Sequence, residues 1–591
     1  MYKIIQNIAV AIAIGTTCVL YIYFAFFYRF SFNYETDING QYFSVFIAVT
    51  ALTLVCGLNI LKREFNKVQY WVVIMTALLL LVPVFFDRYS AGNEYCTNVL
   101  SALILFACLV FIPAHIIITL PYLLIAVLLW QLGIAFEQMN GVSFDADQLN
   151  LQGSFQNSGV FCCYLVIHLP LLYYAAFQQA GSKPGRWGRV LTWLKIICFL
   201  LVMVFILYIV YCSRSRSAII AVVAGIAGYC LFTFGGGIKG RLQRIPKWAT
   251  IGSMLFLLLL AACGAWYLFY LKPASAIGRA MKWKIAAGHI GDHLWAGTGI
   301  GRFSWYYPQW QAQYFASGTN PPETYLFSAG ESYIIFNEYL QLFETIGLIG
   351  FAGFVFLLYW FFKARSVQYT RLLTAMKATM MALLAAGLTT YTFHVNVFLV
   401  LMAICFAVAA VTTRIPLTGR KGMIAQILLC IITAYMSFSA YRQWAAVKVW
   451  STAQEIDARS IAKVNQVLHS DGKFLTDYGM WQLKAGYAKE ALVTLEKAKQ
   501  YFISRNTMEA LAMGYDQTGN YPAAIITRQW LCNYLPNKFA PRYELMMLYK
   551  KAGDMVNVKK IANEILTMPV KIPSAEVNNI KEQARILNDR I

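Results

Sequence analysis

The chain has 591 residues, of which 59% are hydrophobic and only 13% charged, and its mean hydropathy is +0.55. Soluble proteins average about 25% charged residues, so this composition excludes an ordinary soluble domain and predicts a polytopic membrane protein. The net charge of +22 then reads as Lys and Arg gathered in cytoplasmic loops, and no nucleic-acid partner is expected.

The N-terminal apolar run, MYKIIQNIAVAIAIGTTCVLYIYFAFF, is too long for a signal-peptide core and lacks a small-residue cleavage site, so it is expected to be an uncleaved first span. At roughly 20 apolar residues per span, thirteen spans are predicted, near 4–28, 42–61, 70–86, 98–113, 116–136, 159–177, 192–211, 217–234, 249–270, 337–362, 372–393, 396–413 and 423–441. Alternate connections carry the basic residues: Lys3; Lys62, Arg63 and Lys67; Lys183, Arg186 and Arg189; Lys239, Arg241, Arg244 and Lys247; Lys363, Arg365 and Arg371; Arg414, Arg420 and Lys421. The positive-inside rule makes these cytoplasmic, with the N-terminus inside. The opposite connections then lie outside, including the tight 212–216 turn, the long 271–336 loop and everything after Tyr441. Most cysteines sit inside apolar runs with no CxxC pair, which fits small buried hydrophobes.

The first outer loop with chemistry in it, 137–158, holds Asp145 and Asp147 as a DxD that two carboxylates could turn into a cation site; a solvated loop is the plainer reading. Arg214 and Arg216 break the charge rule at an outer boundary. A guanidinium there can snorkel to headgroups, but two in a Ser-rich turn also suit phosphate, which the planar fork binds bidentately. The long loop adds Arg279, Lys282, Lys284 and Arg302, with Arg279 and Trp283 on one helical face. GTGIGRF at 297–303 lacks a preceding strand and reads as a shaped turn rather than a nucleotide loop. His289 and His293 stand at i, i+4 between glycines, a poor frame for a metal. Glu331, Glu338 and Glu344 surround the re-entry into the membrane, where a carboxylate usually has a cationic partner. His394 lies at another outer turn.

After Tyr441 the composition turns soluble. Gly486, Gly519 and Gly553 are spaced by 33 and 34 residues (519−486 and 553−519), each between two amphipathic helical segments, which predicts tetratricopeptide-type helix pairs. The expected architecture is therefore all-α: a transmembrane domain over 1–441 and a helical solenoid over 442–591 whose concave face takes a protein partner or a large acceptor.

Taken in order, GSFQNSG at 153–159, SRSA at 215–218, Arg279 with Trp283, GTGIGRF at 297–303 and NEYLQLFETIGLIG at 337–350 resemble the O-antigen ligase and polymerase superfamily, over roughly 140–410. That superfamily includes O-antigen ligases, Wzy-type polymerases and protein O-oligosaccharyltransferases. The tail, with MPVKIPSAEV at 568–577, is similar to tails on such proteins from the Bacteroidetes group. The resemblance implies a GT-C-like fold in a bacterial inner membrane, with its site in the periplasm. It implies inverting, metal-independent transfer of a glycan from undecaprenyl pyrophosphate, with no cofactor, to an acceptor hydroxyl. The acceptor is lipid A core, growing O-antigen or a protein. Carried over, Arg216 and Arg279 would bind the pyrophosphate, with Arg302 and Arg214 beside them. Members often carry a histidine before the N-x-Y-L motif, where this chain has Phe336, so the base must come from elsewhere: Glu331 first, then Glu338, with His394 and His293 behind. A metal-dependent oligosaccharyltransferase using Asp145 and Asp147, and a flippase for polyprenyl-linked substrates, are the competing readings.

Overall fold

In the computed structural model, residues 2–26, 38–60, 94–140, 151–155, 157–177, 186–242, 264, 266, 270, 273–318, 321–413, 422–452 and 458–590 are described. Every regular element among them is helical. The predicted spans at 70–86 and most of 249–270 lie outside the described residues, as do Asp145, Asp147 and the basic residues Lys62, Arg63, Lys67, Lys183, Arg244, Lys247, Arg414, Arg420 and Lys421.

The apolar part runs through α1 (Tyr2–Phe26), α2 (Ile38–Ile60), α3 (Glu94–Val110), the short α4 (Ala114–Ile117), α5 (Leu120–Asn140), α6 (Ser158–Ile167), α7 (Leu169–Phe177), α8 (Arg186–Ser213) and α9 (Arg216–Leu242). Six described helical segments are long and apolar enough to cross a membrane: Ile4–Phe26, Ala114–Asn140, Ser158–Phe177, Trp187–Ser213, Arg216–Gly235 and Glu338–Lys363. Shorter apolar helices, Tyr42–Leu58, Asn98–Val110 and Asn396–Thr412, fall where three further spans were expected. The span expected at 159–177 is two helices that meet at His168, whose imidazole is buried and meets the Tyr164 carbonyl at 2.6 Å and the Tyr21 hydroxyl at 2.8 Å. α8 and α9 leave Trp187, Leu201, Val204, Val223 and Ile226 exposed, an apolar surface suited to lipid.

The sequence expected to form the long outer loop folds into α10 (Pro273–Ala287), α11 (Phe303–Ala316) and α12 (Glu323–Ser328), and α13 (Glu338–Lys363) follows. Asn337 starts α13 by accepting from the Tyr339 and Leu340 amides, at 3.1 and 3.0 Å. The helix breaks at Gly347, which sits at φ 63°. A break exposes backbone groups, and the glycine run supplies their partners. Thr298 and Gly299 donate to the Glu344 and Thr345 carbonyls at 2.7 and 2.9 Å, and Leu348 donates to the Leu294 carbonyl at 2.8 Å.

α14 (Thr370–Ala386) and α15 (Asn396–Thr412) are buried on nearly every side, and Leu372, Met376, Met380, Phe398, Leu401 and Ile404 belong to the main core. α16 (Gly422–Thr452) packs along α2 and continues past Tyr441, where the domain boundary was expected. Apolar residues explain the extension: Ala446 and Val447 remain buried in a cluster with Tyr42, Phe474 and Leu475.

The C-terminal helices are α17 (Ala458–Leu468), α18 (Gly472–Lys484), α19 (Ala488–Tyr501), α20 (Arg505–Gln517), α21 (Tyr521–Tyr534), α22 (Phe539–Lys551), α23 (Met555–Thr567) and α24 (Ala575–Arg590). From α18 onward each packs on the next. Side chains of Asp471, Ser504, Asn520 and Asp554 cap four of their N-termini. Gly486, Gly519 and Gly553 end α18, α20 and α22 in the left-handed conformation that L side chains avoid. This array is bonded to the loop. Gln311 donates to the Tyr534 carbonyl at 2.8 Å, Trp305 Nε1 to the Lys499 carbonyl at 2.8 Å, and Asn537 to the Phe327 carbonyl at 3.2 Å.

A cationic cavity beneath the loop as candidate functional site

The α8–α9 turn, α10, the segment before α13 and the turn after α14 converge. Arg216 opens α9 and donates from Nη2 to Ser275 Oγ at 3.0 Å. One helical turn along α10, Arg279 donates from Nη1 to the Thr389 carbonyl at 2.6 Å, and Ser217 Oγ reaches the same oxygen at 3.3 Å. Trp283, on the same face as Arg279, donates from Nε1 to the Ile335 carbonyl at 2.7 Å and fixes α10 against the chain that carries Phe336.

Phe336 has φ 58°, a left-handed backbone conformation unusual for an aromatic residue. Its ring lies under both cations of α10: Arg279 Cζ and Lys282 Nζ each stand 4.8 Å from the centroid. Tyr391 supports the ring edge-on at 5.6 Å. Arg279, Lys282 and Phe336 open onto a cavity of about 670 Å³, lined also by Ser275, Thr324, Ser328 and Lys571. No carboxylate lines it among the described residues. Burial, reinforced by the charge of Arg216, pulls the Arg279 guanidinium down to about 10; burial and Arg279 together pull the Lys282 amine down to about 8. A site whose cations weaken one another is preorganised for an anion, whose charge would relieve the repulsion.

The structure brings Arg216 and Arg279 together as the sequence suggested. Arg214 lies in the same turn, exposed, at φ 48°. Arg302, also expected at a pyrophosphate, lies apart from this cluster. It is 5% exposed, lies over Trp305 at 4.6 Å, and donates to the Gln500 and Tyr501 carbonyls at 2.9 and 3.2 Å. Those carbonyls are orphaned at the end of α19, where a cation also meets the favourable end of the helix dipole.

The four expected proton acceptors are also engaged away from the cavity. The Glu331 carboxylate accepts from the Tyr333 hydroxyl and from the Arg505 amide, the latter at 2.9 Å at the start of α20. Glu338 is buried, accepts from the Phe393 amide at 2.7 Å and faces His394 Nδ1 at 3.1 Å from each carboxylate oxygen. Gln341 accepts from the Ile335 amide at 3.1 Å, which turns its amino group toward His394 Nε2 at 2.9 Å. His394 Nε2 therefore accepts and Nδ1 donates to Glu338. Tyr95 stacks on the imidazole at 4.2 Å and closes the pair off. His293 packs edge-on against Tyr306 at 5.0 Å, and no His/Cys/Asp/Glu group among the described residues is arranged for a metal.

The amides of Thr298 and Gly299 are spent on α13, so GTGIGRF is a structural clamp. Sequence reasoning named Lys282 among the loop's cations but gave it no role at the site, although it stands three residues from Arg279 and so on the same helix face. It also passed over Thr389, which contributes a backbone carbonyl that no side-chain pattern announces. No family model matches this chain, and no curated protein matches it.

Proposed function

We propose that this chain transfers a glycan from a polyprenyl pyrophosphate to an acceptor hydroxyl, in the manner of O-antigen ligases. In this reading thirteen spans set the cavity on the periplasmic face of the bacterial inner membrane. A tetratricopeptide-type solenoid covers the site, and lipid A core is the acceptor. A protein hydroxyl or a growing glycan is the alternative acceptor within the same chemistry. The carrying observation is the cluster of cations, Arg279, Lys282 and Lys571 lining a cavity and Arg216 bonded to its wall at Ser275, with no lining carboxylate among the described residues. Pyrophosphate gains negative charge as it leaves, and cations already in place stabilise that charge without reorganising. The cavity volume falls in the ordinary range for small-ligand sites, about 300–1,000 Å³.

The test uses purified full-length protein with a synthetic polyprenyl-pyrophosphate glycan. Arg216→Ala and Arg279→Ala should each slow transfer by about 10²-fold or more while expression is unchanged. Transfer at the wild-type rate by either variant would refute the assignment. Comparing the lipopolysaccharide ladder and glycoprotein mobility of a deletion strain identifies the acceptor.

A further inference from the structure

The transfer reading leaves one chemical role unfilled, because the acceptor hydroxyl must lose a proton. Glu331 is held by the start of α20, and the Glu338–His394 pair is closed beneath Tyr95 with both imidazole nitrogens in use. Within the cavity, Ser275, Thr324 and Ser328 offer hydroxyls that keep their protons, and a guanidinium such as Arg279 stays charged through the pH range of catalysis. Lys571, on the wall contributed by the C-terminal helices, donates to the Phe327 carbonyl at 2.7 Å. Lys282 is left. Its amine is half-buried over the Phe336 ring, and the helix carries it beside Arg279 rather than beside a carboxylate.

We infer that Lys282 is the catalytic base of this transfer: its neutral amine takes the proton of the acceptor hydroxyl as that oxygen attacks the anomeric carbon. The acceptor O–H bond breaks toward Nζ, and a new C–O bond forms. The bond from the anomeric carbon to the pyrophosphate oxygen breaks, with its electron pair leaving on the phosphate. The products are the glycosylated acceptor, polyprenyl pyrophosphate and a Lys282 ammonium, so atoms and charge balance. The charged groups facing the amine are Arg279 on its own helix, Arg216 behind Ser275, and Lys571 across the cavity; Tyr391 backs the Phe336 ring, and Cys163 lies beside Arg279. Their net effect is cationic, which keeps a share of the amine neutral near pH 8 before donor arrives. Bound pyrophosphate then raises the amine's proton affinity and favours the transfer step.

This inference rests on the transfer reading, and the experiment separates the two. Initial rates are measured across a range of pH with the same purified protein and synthetic donor, and donor binding is measured independently. For the wild type, kcat/KM should rise about tenfold per pH unit and level off above about 8. The limb in kcat should lie higher, because the donor's charge is then present. Lys282→Arg keeps the cation but cannot accept a proton. It should bind donor as the wild type does, transfer at least about 10²-fold more slowly, and lose the limb. Lys282→Gln should be equally slow. Lys282→Arg with a rate within about twofold of wild type, or with donor binding lost, would overturn the role of Lys282 alone. No transfer by the wild-type protein would overturn the transfer reading and this inference with it.

Discussion

Phe336 holds a backbone conformation that costs an L residue about 1–2 kcal/mol, and its ring sits beneath two cations. The strain is local and the return is positional, since each exposed cation–π contact contributes about 0.5–1 kcal/mol. Phe336→Gly should therefore lower donor affinity by up to about tenfold without lowering the melting temperature, because glycine takes φ 58° freely. A large loss of thermal stability with donor binding intact would show the ring to be mere packing. Arg302 makes the opposite case. Arg302→Ala removes charged hydrogen bonds to two helix-end carbonyls, each of a kind worth about 1.5–3 kcal/mol. It should lower the melting temperature while donor binding at Arg279 persists. From sequence, the two arginines were alike as cations in an outer loop. Arg279 was legible because Trp283 stands one helical turn away and marks the packed face. Arg302 was not, because its partners are backbone carbonyls almost two hundred residues later, and carbonyls leave no trace in side-chain identity.

At the scale of elements, the broken helix and its clamp form one unit. A Cβ on Gly347 would stand 2.4 Å from the Trp295 carbonyl oxygen, and one on Gly297 would stand 2.4 Å from the Thr345 carbonyl, both at positive φ. Gly347→Ala or Gly297→Ala should thus cost on the order of 4 kcal/mol or prevent folding, a size reached only by strain and clash of this kind. Gly353→Ala, six residues along the same helix, meets nothing within 4 Å and should be neutral or stabilising. Melting of the three variants in detergent compares them directly, and equal behaviour would deny the clamp. The span itself was legible at 337–362, within a residue or so of its observed ends. The break was not, since glycine is common in apolar helices and only the distant glycine run reveals which one bends. Likewise Gly486, Gly519 and Gly553 announced their helix ends because each stands at a regular interval, whereas α16 overran Tyr441 because an apolar face can pack on protein as readily as on lipid.

For the whole molecule, the alternation of charge predicts which surface faces the cytoplasm. Val367 lies between α13 and α14, among Lys363, Arg365 and Arg371, and Val493 lies on an exposed face of α19. With cysteine placed at each, a membrane-impermeant maleimide should label Val493→Cys in cells with a permeable outer membrane. Val367→Cys should label only after the inner membrane is opened. The reverse pattern would turn the assigned orientation over. Length and hydropathy alone brought out six helical segments, among the described residues, that are long and apolar enough to cross a membrane. The shorter apolar helices are buried against neighbours, so the bilayer does not fix their length.

The cavity walls come from α10, α12, the Phe336 segment and Lys571, which a ribosome delivers far apart in time. A nascent chain has its arginines beside the membrane long before it has the wall that faces them. Until then that cationic surface stands open on the side that Lys571 later walls. Completion of the C-terminal helices thus sets when the cavity exists at all: its last wall is made only once synthesis has passed residue 571.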